Sequence, residues 1–200
     1  MGRAQAGAWA LACTIRIGPF VLALPYQAES ELYSRGIDLG LACLAMPDRA
    51  QVLSFQQDMQ ALFDADELGE ADTAQQCLVT LAYALDTTLP REHTTVSTVS
   101  PILRVAGDSE RAWETLDYRL RVAEARAQGM SIDSPEVRAS HQRDSHELRE
   151  LRAQADALGS VATHDDSIDD LLAWLGSLRA DMDRKTAEMR TLVGKWAGVS

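Results

Sequence analysis

The chain has 200 residues, 19 basic and 30 acidic side chains, a net charge of −11 and an apolar fraction of 46%. That length makes one domain, or a small domain with an appended bundle, with enough apolar material for a core that needs no staples. No stretch is basic enough to neutralise a phosphate backbone, so the charge balance disfavours direct nucleic-acid binding.

Gly7 to Ile15 is an apolar run behind Arg3. It resembles a short signal segment, but Arg16 interrupts it and no small-x-small cleavage site follows. Nothing approaches the ~20 uninterrupted apolar residues of a membrane span. The sequence therefore predicts an unprocessed protein with no membrane span, cytoplasmic or part of an intracellularly assembled particle, and disfavours secretion. Residues 14–17 and 20–24 flank Gly18-Pro19 and read as a short β-hairpin over 14–24, closed by Pro25. The alternative is a partly helical apolar arm docked on the body or on a neighbour.

Three helices follow. The first, 28–45, carries Tyr33, Ile37, Leu41 and Leu44 on one face, weakened by Gly36 and Gly40. Pro47 suits the first turn of the next, whose face is Val52, Phe55, Met59, Leu62 and Phe63. Gly69 separates it from a third, with Ala74, Cys77, Leu78, Leu81, Ala82 and Leu85. Together these make a small α-rich N-terminal unit over 1–93. Residues 94–107 lie in a Thr-, Ser- and Val-rich stretch that also holds Pro90 and Pro101, and read as an extended linker. Residues 108–200 then read as an antiparallel three-helix bundle or coiled coil. Its first helix is capped by Asp108 with a seam of Trp113, Leu116, Leu120, Ala123, Ala127 and Met130. Its second starts at Ser134-Pro135, carries Val137, His141, Asp144, Leu148, Leu151, Ala155 and Leu158, and ends at Gly159.

The long last helix is the most informative segment. Ile168, Leu171, Leu175, Leu178, Met182, Lys185, Met189, Leu192 and Trp196 recur at 3-4 spacing, with only Lys185 polar. A heptad ladder of this kind puts its members on one seam that buries against another helix. At 1.5 Å per residue the seam runs about 40 Å. Thr163, Asp165, Asp166 and Ser167 offer N-cap oxygens, and Asp166, Asp169 and Asp170 place negative charge on the first turn. Leu172 and Trp174 widen the stripe at its start, so the first half belongs in a multi-helix core and the second half, from Met182, projects as an arm.

Constellations that could carry chemistry are sparse. Asp64, Asp66, Gly69, Glu70 and Asp72 have the outline of a calcium loop, but its fifth and twelfth positions hold Leu68 and Gln75 where oxygen ligands belong. His146 and Glu150 fall one residue short of the zincin pattern, which needs two histidines four apart. His164-Asp165, with His141 or His146, has the residue types of a helical metal phosphohydrolase dyad, at a place where a cap already explains the aspartate. Trp174-Leu175-Gly176 and Trp196-Ala197-Gly198 each match a W-x-G tripeptide and read as coincidence. No P-loop, G-x-S-x-G elbow or G-x-G-x-x-G is present. Cys13, Cys43 and Cys77 are widely spaced among apolar neighbours and read as buried reduced thiols.

The expectation is thus a mainly α, non-enzymatic structural or assembly protein with no cofactor and no metal site. It would act in a larger complex, such as a viral or phage particle or as an accessory subunit, and bind a protein partner or itself through the C-terminal helix at Leu175, Leu178, Met182, Met189, Leu192 and Trp196. Two alternatives of other classes are a small metal-dependent hydrolase using His141 or His146 with His164 and Asp165, and an acidic chaperone or antagonist of a basic partner.

Overall fold

The computed structural model describes residues 2–24, 26–65, 72–90, 146–163 and 167–197, with isolated positions between 122 and 129. These residues form helices α1 (Arg3–Ile17), α2 (Pro19–Leu22), α3 (Gln27–Ala45), α4 (Arg49–Ala65), α5 (Asp72–Thr88), α6 (His146–Thr163) and α7 (Ile168–Ala197), and no strand occurs among them. The mainly helical class is therefore as the sequence predicts.

The β-hairpin over 14–24 is not formed. Residues 14–17 complete α1, and residues 19–22 form the one-turn α2. The β-branched pattern around Gly18-Pro19 is overridden by what precedes it. Ala4, Ala6, Ala8, Ala10 and Ala12 give α1 high helix propensity, and the helix propagates through Thr14 to Ile17. Gly18 stays in the right-handed helical region, its N–H shared between Thr14 O at 3.1 Å and Ile15 O at 3.2 Å. Pro19 then begins α2 at the position where a missing N–H costs nothing.

Of the two readings of this segment, the helical apolar arm is the one found, and it is central. From Gly7 to Ile17 every residue of α1 except Arg16 is buried. A helix apolar on all sides must be covered on all sides. Helices α3 and α5 cover one flank of α1, and α6 and α7 cover the rest, with α4 packed outside on α3 and α5. The polar N-terminal end of α1 ties the layers together. Arg3 Nη1 donates to Thr88 O at 2.6 Å, at the C-terminal end of α5 where unpaired carbonyls favour a cation. Gln5 Nε2 donates to Val161 O at 3.4 Å and Trp9 Nε1 to Gln154 O at 3.3 Å, both on α6.

In the N-terminal helices the core faces are the expected ones. Tyr33, Ile37 and Leu44 of α3, Val52 and Phe55 of α4, and Ala74, Cys77, Leu78, Leu81, Ala82 and Leu85 of α5 are all buried. Leu41, Met59, Leu62 and Phe63 pack on this core at its edge. Gly36 and Gly40 of α3 are where its neighbours come close. A Cβ on Gly36 would lie 2.6 Å from both Leu81 Cδ2 and Phe55 Cε2. Pro47 lies just outside α4, and Asp48 is the cap. Its Oδ1 accepts from the N–H groups of Ala50 at 3.0 Å and Gln51 at 3.1 Å.

The C-terminal half departs further from expectation. The linker 94–107, all but isolated positions of the first bundle helix, and the His141–Asp144 part of the second lie outside the described residues. Within α6, Gly159 is internal and the helix continues to Thr163. Its core-facing stripe is Gln154, Ala157 and Val161, whereas Ala155 is exposed and Leu158 is 46% exposed. The Trp9 and Gln5 bonds from α1 reach the backbone of the core-facing stripe, at Gln154 and Val161. Among the described residues α6 and α7 both pack chiefly against α1, with α7 reaching on to α2 and α3.

Candidate interaction surface

Most of the described ladder of α7 packs on this chain's own core. Ser167 caps the helix: its carbonyl accepts from the N–H of Leu171 at 3.1 Å and its Oγ lies 3.3 Å from the N–H of Asp170. Leu171 and Leu175 are fully buried, and Ile168 and Leu178 are half-buried. The second half does not project. Met182 is 6% exposed and Met189 2%, because Met182 lies against Gly18 and the stripe continues along α1 and α2. The physical reason is the break at Gly18. With no side chain there, the α1–α2 corner admits the thioether of Met182; a Cβ would sit 2.5 Å from its Sδ.

Of the six expected contact residues, Leu175, Met182 and Met189 are thus buried within the chain. Leu178 and Leu192 pack on the core from a partly exposed position. The Trp196 side chain lies outside the described residues.

The polar break in the ladder resolves into two side chains. Lys185 is half-buried at the edge of the stripe, its ammonium 5.7 Å from the centroid of the Phe20 ring on α2, within cation–π range. The neighbouring Thr186 takes the buried place. Its Oγ1 donates to Met182 O at 2.8 Å, which satisfies the hydroxyl inside the helix. The buried stripe therefore steps from Met182 to Thr186 to Met189, a 4-3 step where the ladder had 3-4. A straight helix at 3.6 residues per turn drifts from a strict seven-residue repeat, and Thr186 is where that drift shows. One turn on, Arg190 donates from Nε at 3.2 Å and Nη2 at 2.8 Å to Leu22 O. It caps the C-terminal end of α2, where a cation is favoured. Sequence patterning missed Thr186 and Arg190, since nothing local marks either as a contact residue. Arg179 pairs with Asp38 of α3 at the surface, where such a pair adds little stability.

Large apolar side chains stand outside the core at Met46, which is 77% exposed, and at Leu53, Tyr83 and Leu158. Leu53 also borders an open pocket of about 170 Å³ between α4 and α5, lined with Arg49, Val52, Gln56, Asp86, Leu89 and Pro90. Gln56 Nε2 donates to Asp86 Oδ1 at 3.3 Å.

Few of the residues weighed for chemistry fall among the described residues. Asp64 lies at the end of α4 and accepts from Gln60 Nε2 at 2.8 Å, while Asp66 to Glu70 lie outside the described residues. His141, His164 and Asp165 also lie outside them, as do the side chains of His146 and Glu150. Among the described residues no group of three or more His, Cys, Asp or Glu side chains could hold a metal ion. Trp174-Leu175-Gly176 falls inside α7. Cys13, Cys43 and Cys77 are buried free thiols, and Cys13 Sγ accepts from Arg16 Nη2 at 3.4 Å. No helix among the described residues is long and apolar enough to cross a membrane.

Comparison of the chain with protein-family models, with curated proteins and with solved structures gives no match.

Proposed function

We propose that this chain is a non-enzymatic structural or assembly protein, located in the cytoplasm or in a particle built there, that acts through helix contacts in a larger complex. The reading rests on the helical faces that stay open once the core is closed: Leu178 and Leu192 along the edge of α7, and Leu53 and Leu158 on α4 and α6. Apolar edges of this kind are what one helix offers another. The buried part of the ladder has a different role in this proposal. Leu175, Met182 and Met189 fix α7 against α1 and α2, so that the C-terminal helix presents its outer edge, with Leu192, to a protein partner or a second copy.

Sedimentation velocity of the full chain, over a range of concentrations and with the complex recovered from its host, tests this. The wild type is expected to sediment above its 21.9 kDa monomer mass. Leu192→Glu or Leu53→Glu, with an unchanged far-UV circular dichroism spectrum, is expected to shift it back. A wild type that remains a monomer throughout, and that has no stable partner in its host, overturns the reading.

A further inference from the structure

We draw no further inference here: the strongest candidate, the open pocket between the N-terminal end of α4 and the C-terminal end of α5, lined by Arg49, Val52, Leu53, Gln56, Asp86 and Leu89, carries nothing because nothing in the structure shows what covers it.

Discussion

The phenol of Tyr33 donates to the main-chain carbonyl of Thr14 at 2.5 Å and so fastens α3 to the point where α1 gives way to α2. Thr14 O also accepts from the N–H of Gly18, so the two bonds converge on the corner that receives Met182. Burial, and secondarily the neighbouring Cys77, push the Tyr33 hydroxyl well above its ordinary pKa. The neutral phenol is the form that fits.

Tyr33→Phe removes this bond but leaves Thr14 O its partner in Gly18. The expected loss is therefore near the net value of one hydrogen bond, about 1 kcal/mol, read from urea unfolding. The pH dependence has a definite sign. A tyrosine in the unfolded chain ionises near pH 10, whereas folded Tyr33 resists. The stabilisation is complete below about pH 10 and falls as pH rises toward the raised folded value. Tyr33→Phe should flatten that alkaline loss, and an unchanged slope would show that Tyr33 is not buried.

Two glycine-to-alanine changes should move stability in opposite directions. A Cβ at Gly36 meets the Phe55 ring and Leu81, whereas nothing lies within 4 Å of one at Gly176. Gly36→Ala should destabilise by about 1–3 kcal/mol through overpacking. Gly176→Ala should stabilise by up to about 1 kcal/mol, because alanine is the better helix former. Thermal unfolding of the two variants checks both, and equal shifts would contradict the packing at Gly36.

On α7, Leu175 is fully buried whereas Leu178 is partly exposed. Leu175→Ala should cost about 2–5 kcal/mol and Leu178→Ala clearly less. Both should unfold in one transition if α7 belongs to the same core as α1. A separate early transition confined to the variants would mean that α7 detaches by itself.

Asp48 holds its carboxyl below the usual range by accepting from the Gln51 backbone, then the Gln51 side chain, then the Ala50 backbone. Its contribution is present above the unfolded value near pH 3.9 and is lost as pH falls through the depressed folded value. Asp48→Asn keeps a cap and should make that part of the acid loss disappear, while Asp48→Ala should lower the melting temperature at neutral pH. Acid titration followed by circular dichroism distinguishes the three proteins.

The core faces of α3, α4 and α5 could be read from apolar spacing because each of these helices buries one stripe and wets the other. The α7 ladder was legible for the same reason as far as Met182. What covers it was not, since periodicity says that a stripe is buried and never by which partner. The segment from Thr14 to Leu24 misled because short apolar runs have no distinctive period. Its fate was decided by the alanines upstream and by the neighbours that surround α1. Leu158 misled for a related reason: a leucine in register is left exposed on α6, while Trp9 and Gln5 of α1 bond the backbone of the core-facing stripe at Gln154 and Val161. Asp48 could have been found locally, since an aspartate after Pro47 and before a helical run is an ordinary cap signal.

Because α1 precedes in the chain the helices that enclose it, synthesis delivers this hub before its wrapping. The flank of α1 that faces α7 must wait, exposed, until the residues of α7 are made more than one hundred and fifty positions later. Contacts of such long sequence separation close slowly and leave apolar surface uncovered meanwhile. A chain cut short before α7 would therefore emerge with that flank of its central helix uncovered.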